Sequence, residues 1–289
     1  MAQKITRDDS DCAEVLMSGV PYNFDDRAGR WSPWNISNFM DGAEFFGRKT
    51  GNFMDYKTLG TENMMNARIL QTMTINPTVY TYNFLEKAQL KITMNLEKIG
   101  ITSVIIRSKL TDVLSGTILA DRYIKIVRIS EKTRKPVKYP DWFQQKYSYL
   151  KETLVPQDLM FKFDIPKAPV GCFIYRTIVR YSDLDYNAHT NQSVYVKMCL
   201  DCATAASCKG LLVSFNRDIS LYPLVYFNVR YLGETFTGDE LKVGIWQEDS
   251  DPSILKFIIS KKERQVNYTI FKFNLQKTAS EFTRNVSKL

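Results

Sequence analysis

Histidine is nearly absent from this sequence: His189 is the only one among 289 residues. A structural zinc site takes four ligands, mostly from cysteine and histidine, so such a site would depend on the five cysteines. Cys199 and Cys202 have the C-x-x-C spacing, but they lie in a predicted helix and no second pair follows. Packing explains them better than zinc does, and the sequence predicts neither a metal nor another cofactor.

Three further absences argue against a membrane-spanning protein, a secreted protein and an α/β-hydrolase. No apolar run approaches the length of a membrane-spanning helix. The first nine residues lack the apolar core of a secretory signal, and an odd number of cysteines favours reduced thiols inside a cell. No Gly-x-Ser-x-Gly occurs, which argues against the nucleophile elbow of an α/β-hydrolase.

The composition is that of a folded protein with an excess of positive charge. Apolar residues make up 44% of the chain and charged residues 24%, as in soluble globular domains. The formal net charge is +8, which favours an anionic partner. The lysines and arginines are scattered, however, and no nucleic-acid-binding motif accompanies them. Nucleic acid is therefore not predicted as the partner.

Three polar side chains of different chemistry stand close together in the second half. A carboxylate, an amide and the only imidazole occupy alternate positions at Asp185, Asn187 and His189. The residues that follow, 192 to 207, have the apolar spacing of a helix. At a helix start, unpaired backbone N–H groups can polarise a carbonyl or hold an oxyanion. The alternative is a polar turn that caps the helix.

The stretch from Arg180 to Tyr195, RYSDLDYNAHTNQSVY, resembles the active-site segment of hotdog-fold thioesterases. It is most similar to the plant-type acyl-ACP thioesterases, whose pattern is D-L-D-x-N-x-H-x-N-N-x-x-Y. Gln192 replaces the second asparagine of the final pair. The resemblance implies an α+β fold, a tandem double hotdog. In such a fold, two antiparallel sheets each wrap around a central helix, and the pair of units shares one functional site.

The first half contains a degenerate copy of the motif. When the halves are aligned without gaps, Asp25 falls on Asp185. Arg27 and Gly29 then occupy the amide and imidazole positions. Because neither residue can supply those groups, the first half is expected to be catalytically silent.

The order of predicted elements agrees with two similar units. We expect an N-terminal hotdog domain at 10–140, a proline-containing linker at 141–169 and a C-terminal hotdog domain with the motif at 170–277. A tail follows at 278–289, and residues 1 to about 20 are expected to be a loose lead-in. The predicted helices span 35–48, 141–154 and 192–207, and the predicted strands span 69–75, 78–84, 89–99, 102–110, 117–129, 224–232, 240–247, 253–261 and 265–274.

The resemblance also suggests a role for each candidate catalytic residue. Asp185 is assigned as general base or direct nucleophile. Asn187 is expected to hold the substrate carbonyl or the water, and His189 to position the carboxylate or donate to the oxyanion. Glu234 matches the glutamate of the family's Tyr-x-x-Glu-Cys, although a solvent-facing glutamate at a strand end is the alternative. Thr235 replaces the cysteine of that pattern, which excludes a cysteine nucleophile there.

The last three residues, Ser287, Lys288 and Leu289, match the address that the peroxisomal import receptor reads. We therefore expect a peroxisomal location, with the cytoplasm as the alternative. Peroxisomes contain coenzyme A thioesters, and acyl carrier protein is not expected there.

The leading hypothesis is therefore a thioesterase that hydrolyses fatty acyl-CoA to free fatty acid and coenzyme A. The alternatives are an acyl-ACP thioesterase in another compartment and a non-enzymatic acyl-binding hotdog protein. A hotdog dehydratase is disfavoured because no matching acid–base motif is present. The sequence leaves chain-length preference and homodimer formation open.

Overall fold

The computed structural model describes residues 2–19, 24–26, 29–60, 64–81, 89–160, 164–216 and 218–276. Arg27 of the degenerate motif and the C-terminal Ser287, Lys288 and Leu289 lie outside this range. The chain forms two compact units. The first comprises Met1–Pro21, Asn38–Thr74 and Asn83–Asp164, and the second comprises Tyr22–Ser37, Ile75–Tyr82 and Ile165–Leu289.

Neither unit is one continuous stretch of sequence. The segments at 22–37 and 75–82 group with the second unit, whereas most of the expected linker, up to residue 164, groups with the first. The domain boundaries expected from the sequence, 10–140 and 170–277 with a linker between them, stay a prediction.

The first unit contains a sheet in the order β1-β2-β4-β5-β6-β3. Four of these pairings, β1 with β2, β2 with β4, β4 with β5 and β5 with β6, are antiparallel. In β4, buried and partly exposed residues alternate, as in a strand with one face against a core. The strands are β1 (Ala2–Asp8), β2 (Cys12–Ser18), β3 (Met64–Ile75), β4 (Gln89–Ile99), β5 (Ser103–Asp112) and β6 (Ile118–Ser130).

The N-terminal residues form strands, so the expected loose lead-in is wrong. β2 pairs with β4 so that Val15 lies opposite Ile92, and both side chains are fully buried. Ala13, Val15 and Met17 all face the core. This alternation is the period of two expected for a strand. The strand was not predicted because the apolar run is short and the residues before it are mostly polar.

In the part of the chain that the structure describes, helices are few, and most are short. The helices are α1 (Pro33–Thr50), α2 (Tyr56–Leu59), α3 (Asp141–Lys146), α4 (Gln157–Met160) and α5 (Gln192–Cys208). The helix expected at 141–154 continues after α3 only as the 3₁₀ turn Ser148–Leu150. None of the helices within the described residues is long and apolar enough to cross a membrane.

The strand predicted at 78–84 is wrong over its described part, because Pro77–Thr81 is a 3₁₀ helix. Asn76 Oδ1 accepts the Thr78 N–H at 3.0 Å, a local turn contact that competes with strand pairing. Pro77 also fixes its own φ and lacks a donor for a sheet. Turn chemistry therefore outweighed the β-branched and aromatic composition of this segment.

The second unit also contains an antiparallel sheet, in the order β8-β11-β10-β9-β7. Helix α5 packs against β7, β9 and β11, which covers one face of this sheet. Strand β7 was not predicted from the sequence. The strands are β7 (Phe173–Ile178), β8 (Leu224–Tyr231), β9 (Glu240–Gln247), β10 (Ile254–Lys261) and β11 (Arg264–Phe273). The sheets and helices confirm the α+β class.

Helix α1 carries a buried ion network in the first unit. Arg122 of β6 is fully buried, and its guanidinium lies 2.5 Å from Asp41 and 2.9 Å from Glu44. Arg68 of β3 adds a second contact with Asp41 at 2.7 Å. Burial alone would raise the pKa of Asp41, but Arg68 and Arg122 outweigh it and hold the pKa below its ordinary value. The network therefore attaches α1 to the sheet by charge.

We predict that Arg122→Ala lowers the free energy of unfolding by about 3 kcal/mol, because it removes a fully buried guanidinium that pairs with both Asp41 and Glu44. Urea unfolding followed by circular dichroism measures the change. The matched control is Arg107→Ala, which removes a partly exposed pair with Asp121 and is expected to change stability by at most about 1 kcal/mol. Equal effects of the two substitutions would contradict a structural role for the buried network.

Candidate active site

The residues from Asp185 to His189 form a tight loop ahead of α5. The Asp185 N–H donates to the His189 carbonyl at 2.8 Å, and the Ala188 N–H donates to the Asp185 carbonyl at 3.0 Å. Leu184 and Thr190 pair across the base of the loop in an isolated antiparallel bridge. Ala188 has a φ of 60°, in the left-handed region that side chains other than glycine seldom adopt. The loop is therefore closed by its own backbone.

The Asp185 carboxylate lies over this loop. Its Oδ1 accepts the Asn187 N–H at 2.9 Å and the His189 N–H at 3.4 Å, as in the local turns that aspartate favours. Among the described residues, Oδ2 has no hydrogen-bond partner. The carboxylate is half-buried, so one oxygen is fixed by the loop while the other is available to a ligand.

The alternative interpretation, in which the motif only caps the helix, does not hold for the Asp185 side chain. The cap of α5 is Asn191, whose side chain accepts the Ser193 N–H at 2.9 Å. Because Asn191 supplies the cap, the Asp185 carboxylate takes no part in it.

Glu234 comes next to the loop from a distant part of the sequence. Its Oε1 lies 3.8 Å from His189 Nδ1, which is too long for a direct hydrogen bond but close enough for an ion pair or a bridging water. The Phe236 ring meets the imidazole edge-on, with the ring centroids 5.1 Å apart. The structure therefore brings Glu234 and His189 together, and the Phe236 ring packs against the imidazole.

Asn187 occupies the tip of the loop and is exposed. Its backbone amide is bound to Asp185, but its side-chain amide has no hydrogen-bond partner among the described residues. The structure therefore joins Asn187 to the other candidate residues through the backbone only.

A cluster of buried hydroxyl groups holds the loop, α5 and the Glu234 segment together. Thr235 is fully buried, and its Oγ1 lies 2.6 Å from Thr190 Oγ1 and 2.9 Å from the Tyr195 hydroxyl. The Thr190 N–H also donates to the Thr235 carbonyl at 2.9 Å. Burial raises the pKa of Tyr195, which keeps it neutral. We call these three residues the hydroxyl cluster. The sequence reasoning missed it, although Thr235 stood out as the replacement for a family cysteine.

Asp25, from the degenerate copy of the motif, lies elsewhere within the second unit. Asp25 borders a cavity of about 280 Å³ whose other walls include Trp34, Tyr80 and Asp201. The residues that line this cavity include none of the candidate catalytic side chains. Among the described residues, no group of three or more His, Cys, Asp or Glu side chains could hold a metal ion.

Comparisons with known proteins agree with the resemblance. Residues 172–275 match the family model of the acyl-ACP thioesterase C-terminal domain. No curated protein matches the chain by sequence.

Solved structures with the same fold cover nearly the whole chain. The 12:0-ACP thioesterase from Umbellularia californica is 13% identical, with a TM-score of 0.71 over 91% of this chain and 97% of its own. An acyl-ACP thioesterase from Bacteroides thetaiotaomicron is 16% identical, with a TM-score of 0.68 over 91% of this chain and 98% of its own. At these identities the likeness shows the fold alone.

The matched segment contains the whole motif from Asp185 to His189 together with Glu234. Residues 172–275 are therefore similar to the C-terminal domain of the acyl-ACP thioesterases, which supports a thioester hydrolase.

Proposed function

We propose that the chain hydrolyses fatty acyl-CoA to free fatty acid and coenzyme A, with Asp185, Asn187, His189 and Glu234 as its site. The observation that carries the proposal is the arrangement around the loop. Asp185 has one carboxylate oxygen fixed by loop amides, and His189 in the same loop lies 3.8 Å from Glu234.

Asp185 can activate water as a general base. In this step its Oδ2 takes a proton from a water molecule whose oxygen attacks the thioester carbonyl carbon. The carbon–sulfur bond then breaks, the sulfur leaves as a thiolate, and the carbonyl carbon becomes a carboxylic acid. A thiolate is a stable leaving group, so acid assistance matters less than in amide hydrolysis. Direct attack by the carboxylate, followed by hydrolysis of the anhydride, is the other route that the same position allows.

His189 is suited to stabilise the negative charge that develops on the carbonyl oxygen. A ring N–H aimed at that oxygen lowers the barrier because the donor is already in place before the charge forms. Glu234, near the opposite ring nitrogen, can orient the imidazole or hold the attacking water. The exposed amide of Asn187 is available to hold the substrate carbonyl or that water.

One observation favours coenzyme A over acyl carrier protein: Ser287-Lys288-Leu289 matches a peroxisomal address. The net charge of +8 suits the phosphates of coenzyme A and an acidic carrier protein equally well. An acyl-ACP substrate is the second candidate, since the matched family model carries that name. Non-enzymatic acyl binding is less well supported, because binding alone needs no carboxylate, amide and imidazole in one loop.

We also propose that each unit is one hotdog, giving a tandem double hotdog. In the second unit, α5 lies against three strands of its own antiparallel sheet. In the first unit, Gly47 of α1 comes so close to the sheet that an added Cβ would lie 2.9 Å from Met94 of β4. Each sheet therefore carries one long helix on its face.

The first test is hydrolysis itself. Thiol release from acyl-CoA of increasing chain length, measured beside acyl-ACP, is expected to show turnover with acyl-CoA preferred. Asp185→Asn and His189→Ala are each expected to lower kcat by about 10²-fold or more, the usual loss for a missing base or oxyanion donor. Asp25→Asn, in the silent copy of the motif, is the matched control and is expected to change kcat little. Wild-type turnover in both site variants would refute this site.

The second prediction concerns the hydroxyl cluster, which positions the loop. Thr235→Val removes the hydroxyl that Thr190 and Tyr195 share, so kcat is expected to fall and stability to drop by about 1–3 kcal/mol. Thr235→Ser retains the hydroxyl and is expected to recover most of kcat. If the serine variant is as slow as the valine variant, the hydroxyl is not what positions the loop.

The third prediction concerns location. A fluorescent protein fused ahead of the chain, leaving Leu289 free, is expected to accumulate in peroxisomes. Removal of Ser287, Lys288 and Leu289 is expected to leave the fusion in the cytoplasm. Fluorescence microscopy with a peroxisomal marker decides, and an unchanged distribution would contradict the address.

A further inference from the structure

A cleft of about 770 Å³ lies beside the candidate active site in the second unit. We call it the basic cleft. Its walls are formed by the end of β7, the segment that leads into β9, and the hairpin between β10 and β11. Its lining residues are 176–178, 238–242 and 261–263.

The basic cleft is connected to the catalytic loop through one aromatic side chain. The Lys261 ammonium lies 5.6 Å from the centroid of the Phe236 ring, and that ring lies 5.1 Å from the His189 ring. The Phe236 N–H also donates to Asp239 in the cleft wall at 2.8 Å. A flexible ligand could therefore extend from the cleft past Phe236 to His189.

The charges of the cleft are only partly paired. Lys261 binds Asp239 at 2.7 Å. Burial tends to raise the pKa of Asp239, but the Lys261 hydrogen bond, the Phe236 amide and the charges of Lys261 and Lys262 hold it below its ordinary value. The other charged residues that line the cleft are Arg176, Lys242, Lys262, Glu240 and Glu263.

Two cations face each other across neighbouring strands. Arg176 of β7 is the direct partner of Lys242 of β9 in the antiparallel register. Like charges in such cross-strand pairs destabilise a sheet. Among the described residues, neither side chain has a hydrogen bond or ion pair, and Lys262 has none either. An anion bound between these side chains would relieve the repulsion. The arrangement therefore favours an anionic ligand.

We propose that the basic cleft binds the diphosphate of coenzyme A, with Arg176 and Lys242 on one side and Lys262 on the other. This inference rests on the proposed function, which supplies coenzyme A as the carrier. The pantetheine arm would pass Phe236 and place the thioester at the loop that holds Asp185 and His189. Guanidinium and ammonium groups are the usual protein partners of phosphate.

The cleft suits a compact anion better than an acidic carrier protein. Its volume lies within the range of small-molecule sites. Glu240 and Glu263 line the same cleft, so the extended acidic face of a protein would meet like charges there. The charge pattern therefore favours the nucleotide end of coenzyme A.

Lys242→Glu tests the proposal without weakening the sheet, because the new carboxylate would face Arg176 as an opposite charge. Isothermal titration calorimetry with coenzyme A is expected to show a Kd raised by about tenfold or more, with unfolding no easier than in wild type. The matched control is Lys132→Glu, an equal change of charge at an exposed lysine that does not line the cleft. It is expected to leave the Kd nearly unchanged.

Competing ligands identify the group that is bound. ADP and dephospho-CoA are expected to displace coenzyme A, and pantetheine is not, because only the first two carry the diphosphate. Higher salt is expected to weaken coenzyme A binding in the wild type, since it screens charges at an open cleft. Pantetheine binding as tightly as coenzyme A would overturn the proposal.

Kinetics separate this inference from the proposed function. Lys242→Glu is expected to raise KM for acyl-CoA while leaving hydrolysis of an acyl-N-acetylcysteamine thioester, which has no nucleotide, at the wild-type rate. Failure to hydrolyse any thioester would refute the function, whereas the calorimetry would still test the cleft. An unchanged coenzyme A Kd in Lys242→Glu, or weakened binding of acyl carrier protein alone, would overturn the cleft assignment.

Discussion

The arrangement of the candidate site depends on the hydrogen bonds that Thr235 makes. Its hydroxyl joins Thr190 and Tyr195, and its carbonyl accepts the Thr190 amide. Through these bonds three pieces of chain meet: the loop from Asp185 to His189, the first turn of α5 and the segment of Glu234. A buried hydroxyl loses its hydrogen bonds to water and must replace them within the protein. The position of Glu234 beside His189 follows from this requirement.

Only some of the polar groups in the loop are used for its local structure. One oxygen of Asp185 holds the backbone of the loop, and Asn191 caps α5. The imidazole of His189 and the second oxygen of Asp185 are therefore not needed to keep the local structure together. A loop arranged in this way is fixed before any ligand binds, which is what the proposed stabilisation of a developing charge requires.

The two units keep their helices in place by different means. In the first unit, α1 carries Asp41 and Glu44 into a buried network with Arg122. In the second unit, the sheet-facing side of α5 is mainly apolar, and Cys199 and Cys202 are among its buried residues. This agrees with the interpretation of the C-x-x-C spacing as packing. The apolar spacing of α1 predicts its core-facing side, but it does not reveal that Asp41 and Glu44 also bind α1 to the sheet through Arg122.

The sequence by itself determined what lies close along the chain. Asp185 and His189 are four residues apart and precede a helix, so their proximity required no tertiary information. The major helices and most of the strands were likewise readable from period and composition. Only the tertiary structure decided which distant segments meet: Glu234 with His189, Thr235 with Tyr195, and the segments at 22–37 and 75–82 with the second unit. The reason is physical, because the register between distant strands and loops is set by the packing of the whole core, and no local pattern encodes it.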